Sequence, residues 1–410
     1  MPEKNRYTSV AAAPLSWHLL GVLSLLMGFA SISTDLYLPA MPLMSHSLGA
    51  EAGTMELTIS GYLLGFSIGQ LFWGPISDRY GRRPSIAIGL LLFVIGSGGC
   101  AVAEDVYTLI GWRIVQALGA CASVALSRAM VRDLFEGNRA AQMLSTLLTV
   151  MAIAPLLGPL VGGQIVVLAG WRAIFWLLVG IGVFTFATLW TIPETLPAAH
   201  RNREPLSRAV NRYGALLKNR QILGYAGAGG FLYAGMFAYI AGTPFAYINY
   251  YHVPPERYGL LFGLVVVGIM AANMLNSRLV LRHGFERILL WGALTAALAA
   301  GATALAARTG WGGLWGLAVP ISVFVSSTGF IVANSITGAL AHFPKQAGAV
   351  SALVGAIHYG SGILGSALVG ALSDATPWPM GLVIGITGAG CLLSTLLISQ
   401  QTGKTDKEEQ

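Results

Sequence analysis

The sequence predicts an all-α, polytopic membrane protein with twelve transmembrane helices in two pseudo-symmetric six-helix bundles. Three observations predict it. Apolar runs of bilayer-spanning length follow one another along the chain. Charge is confined to the short gaps between them. One long charged linker divides the chain into halves that resemble each other.

Of 410 residues, 55% are hydrophobic and 10% charged, against about 25% charged in soluble domains. A mean hydropathy of +0.68 over this length does not describe a water-facing surface. A hydrocarbon core about 30 Å thick needs roughly 20 helical residues. The spans read in order are Leu15–Met41, Met55–Ile76, Pro84–Ala103, Val106–Val131, Ala140–Leu168 and Trp171–Ile192. They continue as Ile222–Tyr250, Tyr258–Leu281, Ile288–Ala307, Trp311–Ala341, Ala347–Leu372 and Trp378–Ser399. The expected organisation is a cytoplasmic tail (1–14), a first bundle (15–192), a linker (193–221), a second bundle (222–399) and a second tail (400–410). No small-residue cleavage site closes the first apolar run, so it reads as a retained helix.

The halves align where "DRYGRRPSIAIG" (Asp78–Gly89) meets "LRHGFERILLWG" (Leu281–Gly292), pairing Arg79 with Arg282, Gly81 with Gly284 and Gly89 with Gly292. Repeated six-helix halves are a transporter architecture. Lys and Arg fix the orientation. With the N-terminus inside, one face collects Lys4, Arg6, Arg79, Arg82, Arg83, Arg128, Arg132, Arg139, the linker cluster and both C-terminal lysines. The other receives Arg172, Arg257 and Arg308. Both termini are therefore expected in the cytoplasm, with the chain in a bacterial inner membrane.

Composition also excludes. Cys100, Cys121 and Cys391 lie in apolar runs without CxxC or Cys/His spacing, so no zinc site or disulfide framework is expected. The net charge of +7 is dispersed over membrane-face loops, not gathered into a nucleic-acid surface. One acid and one distant histidine inside the spans are too little for a membrane enzyme.

The loop "GPISDRYGRRP" (Gly74–Pro84), expected as a tight turn between helices two and three, spends four charges in eleven residues. Its Gly74, Asp78, Arg79, Gly81, Arg82 and Arg83 resemble the G-x-x-x-D-R-x-G-R-[RK] loop of the major facilitator superfamily. The resemblance implies a conformational latch, whose Asp and Arg pair with each other and with a helix end in the other half. "APLLGPLVGG" in helix five resembles that superfamily's antiporter signature at Gly158, Pro159, Gly162 and Gly163. Proline bends the helix, and the glycines let a facing helix from the other half approach. "RIVQALGA" resembles a helix-four motif through Arg113 and Gln116, with Ala117 in place of a glycine. "SISTDLYLPAMP", "WRAIFW" and "IPETLP" resemble the bicyclomycin-resistance and chloramphenicol-efflux (Bcr/CflA) branch of drug:proton antiporters.

Asp35 is the acid read as lying well inside a span, and Arg113 the buried arginine. Each sits about six residues from the same face, roughly 9 Å deep, which makes pairing geometrically open. Charge in the bilayer core is costly and marks function by default. Burial opposes ionisation while a neighbouring guanidinium favours it, which is what a switchable proton site requires. A purely structural clamp, or a cap in a broken helix, is the alternative for Asp35. Two turns earlier, where some related exporters carry a second acid, stands Met27. His358 is a further proton-coupling candidate, with a neutral hydrogen-bonding core histidine as its alternative.

A substrate pocket is expected near the midplane between the halves. Its candidate lining is Tyr62, Gln70, Gln116, Tyr233, Phe237, Asn273, Asn276 and Asn334. The expected function is proton-coupled antiport of drugs or small amphipathic compounds out of the cytoplasm. The alternative is export of a metabolite such as an amino acid. A nutrient importer would share the fold without "GPLVGG". The expected working form is a monomer in the bilayer, handling a small-molecule substrate, with the proton as coupling ion and no cofactor or metal.

Overall fold

Residues 17–135, 137–201, 213–341, 343 and 346–408 are described by a computed structural model. The N-terminal tail expected at 1–14 and the middle of the linker lie outside these residues. The described residues are nearly all helical, with no strand.

The first half contains α1 (Trp17–Asp35), α2 (Met41–Ser47), α3 (Ala52–Tyr80), α4 (Arg82–Ala101), α5 (Val106–Leu134), α6 (Gly137–Ala169) and α7 (Trp171–Leu189). The second contains α8 (Arg220–Thr243), α9 (Pro255–His283), α10 (Phe285–Thr309), α11 (Gly313–Ser326), α12 (Thr328–Ala341), α13 (Ala347–Ala371) and α14 (Trp378–Glu408). The described residues form twelve spans, because α1 with α2 and α11 with α12 are each one broken crossing, His18–Ser47 and Gly313–Ala341. Ten crossings among the described residues are long and apolar enough for a membrane; α6 contributes the apolar run Ile153–Ala169. The polar outlier is α3, whose Ser60, Tyr62 and Ser67 bond to other helices.

Two expectations need correction. The first crossing does not stop at Met41 but runs to Ser47, interrupted after Asp35 by a 3-10 turn at Leu38–Ala40. Pro39 and Pro42 lack the N–H groups that a continuous helix needs there. Asp35 is therefore about twelve residues from the end of its crossing, near the middle of a core about 30 Å thick. The "GPISDRYGRRP" turn is tight as expected, but the helices reach further into it than the spans ending at Ile76 and starting at Pro84. α3 stays helical through Pro75 to Tyr80 and α4 starts at Arg82, leaving Gly81 as the joint. Its φ of 104° is open to glycine and strained for other residues. Gly284, its counterpart between α9 and α10, has φ 77°, so the internal repeat extends to backbone conformation.

Large apolar side chains such as Ile88, Leu91, Phe184, Leu298 and Leu393 stand on the outside. That is the arrangement of a lipid-facing surface, with backbone polar groups satisfied inside the helices. The halves meet along α3 with α13, through Ser60 Oγ and Ser366 Oγ at 2.7 Å and Ser67 Oγ donating to the Ala356 carbonyl at 3.0 Å. They also meet along α6 with α9. Toward the arginine-rich end they part.

Candidate transport site

A cavity of about 740 Å³ opens between the halves at the arginine-rich end. The first half lines it with Gln70, Gly74, Asp78, Arg82, Arg128 and Arg132; the second contributes Tyr233, Ser351, His358 and Tyr359. Tyr233 stacks on His358, ring centroids 4.8 Å apart, and meets Tyr359 edge-on at 5.5 Å. His358 is buried with Nε2 unbonded, seated against Gly229, where any Cβ would strike the ring. Arg128 lines the same cavity as both tyrosines. Its Nε donates to the Val124 carbonyl, and neither it nor Arg132 forms an ion pair among the described residues. Apart from Asp78, no carboxylate among the described residues lines this cavity.

Deeper in the first half, Arg113 is fully buried. Its Nη1 donates to the Ser33 carbonyl at 2.9 Å and to Gln116 Oε1 at 2.6 Å. The guanidinium lies between two ring faces, Tyr37 at 4.2 Å and Tyr62 at 4.4 Å from its carbon, an arrangement that stabilises a desolvated cation. The rings are held in turn: Tyr37 bonds Thr58 at 3.0 Å and Tyr62 bonds Ser33 Oγ at 2.6 Å. Gln116 passes the network on to Ser97 Oγ at 2.8 Å.

Asp35 is 5% exposed and accepts a hydrogen bond from Thr34 Oγ1 at 3.0 Å. Contrary to the pairing read from equal depth, no ion pair joins it to Arg113 among the described residues. Arg113 instead reaches the backbone of α1 at Ser33. Nε and Nη2 of Arg113 are left without partners. Asp35 does not line the large cavity, whereas His358 does, so the two proton-coupling candidates are not brought together there.

At the arginine-rich end, Arg82 Nη1 donates to Asp78 Oδ1 at 2.5 Å and to Ser77 Oγ at 2.6 Å, while Nε donates to Asp133 Oδ2 at 2.9 Å. The Glu194 carboxylate accepts the backbone N–H groups of Arg82 and Arg83 at 2.9 and 3.1 Å, satisfying orphan donors at the start of α4. Arg83 lies over the Trp190 ring and donates to the Trp190 carbonyl. Arg79 is exposed beside Tyr80. The expected contact with a helix end of the other half is not made among the described residues; with the cavity open, the cluster's partners come from the first half and the start of the linker.

The Major Facilitator Superfamily model matches residues 23–247. The chain belongs to the major facilitator superfamily. It is a multi-pass membrane transporter and not an enzyme. It is 32% identical to the chloramphenicol resistance protein of Pseudomonas aeruginosa, over 100% of this chain and 96% of that one. It is 31% identical to the bicyclomycin resistance protein homolog of Haemophilus influenzae, over 89% and 91%. These relatives mark the Bcr/CflA drug-efflux branch. The partially occluded, inward-open xylose transporter XylE of E. coli superposes with a TM-score of 0.69 at 18% identity, covering 93% of this chain and 97% of that one, a likeness of fold.

In this facilitator the antiporter-like stretch of α6 faces two ways. Cβ atoms on Gly158 and Gly162 would strike Asp35 at the end of α1 and the Leu36 carbonyl just after it, whereas one on Gly163 would strike Pro255 at the start of α9. The close approach read as wholly across the halves is therefore mostly to α1, with Pro159 and Pro155 inside the same helix. Of the candidate liners, Gln70 and Tyr233 line the cavity. Tyr62 and Gln116 belong to the Arg113 network, and Phe237 packs against Gly362 and Tyr359. Asn334 donates to Asn276 Oδ1 at 2.8 Å, tying α12 to α9, and Asn273 stands exposed on α9. Polar side chains in spans also serve as interhelical ties, and these are such ties.

Three acids escaped the sequence reading. Asp133 stands next to Arg132 in "VRDLF", and Glu194 in "PETLP"; both looked like ordinary loop charges. Glu56 falls at the edge of a predicted span, yet is 3% exposed.

Proposed function

We propose that this transporter exports drugs or small amphipathic compounds from the cytoplasm in exchange for protons, by alternating access. The arginine-rich face is then cytoplasmic, both termini are cytoplasmic, and the membrane is the bacterial inner membrane. The two bundles, 15–192 and 222–399, rock as units about the seam, joined by the linker 193–221. A monomer carries out the cycle, with a small-molecule substrate, the proton as coupling ion and no cofactor.

The observation that carries this reading is Asp35, a buried carboxyl at the break of α1, packed on the glycines of α6 and held by one neutral hydrogen bond. A carboxylate without a cationic partner is costly away from water. That environment favours the neutral acid over the carboxylate. Movement of α1 against α5 brings it to the free Nε and Nη2 edge of Arg113 and releases the proton. The relatives' resistance names support a drug as the exchanged compound. Arg128 and Arg132 at the cavity wall, without an ion pair among the described residues, favour neutral or anionic compounds over cations.

The test is a pH-probe assay in everted vesicles with a panel of neutral, anionic and cationic drugs, comparing the native chain with Asp35→Asn. Drug-dependent proton movement lost in Asp35→Asn supports the reading. Proton movement at the native rate in that variant refutes Asp35 as coupling acid, and none with any drug in the native chain refutes drug:proton exchange.

A further inference from the structure

Glu56 occupies the seam between the halves at the end remote from the arginines. It is 3% exposed, Oε2 is sealed from solvent without a hydrogen-bond partner, and no basic side chain pairs with it among the described residues. It lies against Gly370 of α13, where a Cβ would stand 3.6 Å from its own. It also lines a small cavity of about 70 Å³ with Asn249 beyond α8 and Ser373 and Thr376 ahead of α14. Those three polar residues are exposed, so water reaches the mouth of this cavity.

A packed seam accepts a carboxyl group either neutral or with a cation beside it. No cationic side chain is beside it here. The titratable groups that packed elements bring toward this end are Tyr37 after α1, His46 on α2, Glu51 at the start of α3, Glu104, Asp105 and Tyr107 at the start of α5, Tyr247, Tyr250, Tyr251 and His252 after α8, and Asp374 ahead of α14; α13 brings none to this end. None of them bonds to Glu56, and Asp374 accepts from Thr376. Opening this face would hydrate Glu56 and favour its ionised form; closing it favours the acid.

We propose that Glu56 is a second proton-binding site, reached from the face opposite the arginines, and that a proton on it holds that face closed. The inference rests on the alternating-access reading. Its direction matches antiport, since protons arriving from outside close the outer side and turn the carrier inward. Glu56 returns its proton to the face that supplied it, and so gates the cycle without carrying charge across.

The test places spin labels at Tyr107→Cys and Trp311→Cys, 73% and 72% exposed on this face in opposite halves. Cys100, Cys121 and Cys391 are buried. Distances are measured by pulsed electron paramagnetic resonance in lipid nanodiscs across a pH series, in an Asp35→Asn background that silences the first acid. The parent should lengthen on the alkaline side, Glu56→Gln should stay short at every pH, and Glu56→Asp should keep the pH response. A Glu56→Gln chain that moves with pH like its parent, or a parent that does not move, overturns the proposal. If chloramphenicol still changes the distance in those cases, alternating access survives without a Glu56 gate. If neither pH nor chloramphenicol does, the wider reading fails as well.

Discussion

Arg113 on α5 donates to the Ser33 carbonyl on α1 at 2.9 Å, two residues before Asp35. The guanidinium is thus attached to the helix that carries the acid without neutralising the acid. Tyr37 and Tyr62 supply on their ring faces what a carboxylate would otherwise supply, leaving one edge of Arg113 unbonded.

Replacing Arg113 by Lys should be far from conservative. An ammonium cannot span both rings, the Ser33 carbonyl and Gln116 at once. Loss of one charged hydrogen bond and one stacking face is worth on the order of 2 kcal/mol. A thermal unfolding midpoint in detergent well below the native value, with transport reduced in parallel, is the expected outcome. An unchanged midpoint would contradict the network.

Gly81 and Gly284 make a paired test of the repeat. Alanine at either position must adopt backbone angles that cost about 1–3 kcal/mol outside glycine. At Gly284 nothing lies within 4 Å of the new methyl, whereas at Gly81 it would meet Glu194 Oε2 at 2.7 Å and Arg201 Nη2 at 2.8 Å. Gly81→Ala should therefore lower folded yield and thermal stability more than Gly284→Ala. Equal effects would show that the Glu194 contact carries no weight.

Asp105 caps α5, accepting from the Tyr107 and Thr108 N–H groups at 2.9 Å and from the Thr108 hydroxyl. These bonds, that of the Thr108 hydroxyl foremost, hold its carboxyl below the usual aspartate range. A lowered folded value means that the stabilisation is present above about pH 4 and is lost as pH falls through the folded value. Asp105→Ala should thus lower the unfolding midpoint at neutral pH, with the gap closing under strong acid. A gap independent of pH would assign the effect to something other than the ionised cap.

Arg128 tests the charge preference of the cavity. Arg128→Gln should cut transport of anionic probes about tenfold, the equivalent of one charged hydrogen bond, and leave neutral probes nearly unchanged. Competition assays in vesicles with charged and uncharged analogues of one scaffold read the ratio. A uniform loss across the series would point to a structural role.

Much of this was legible in the sequence for physical reasons. A bilayer dictates span length and arginine gathers mostly on one face, so twelve crossings could be counted, and Gly81 and Gly284 marked the same joint in both halves. The Asp35–Arg113 pairing misled because depth was counted to Met41, whereas Pro39 and Pro42 break the helix and α2 carries it on to Ser47. Asn276 and Asn334 were read as pocket residues because a polar side chain in a span has the same letter whether it faces a cavity or a neighbouring helix. Glu56 was missed because it sits at the edge of a span, where a solvated acid is ordinary; its burial comes from α13 of the other half.

The most direct measurement is proton release by the purified transporter on binding a drug that the vesicle panel shows it to transport, followed with a pH dye in weakly buffered detergent solution. Native protein should release protons in proportion to drug bound, and Asp35→Asn should bind the drug and release none. Release of the native amount by Asp35→Asn would contradict the assignment of Asp35 as the coupling acid.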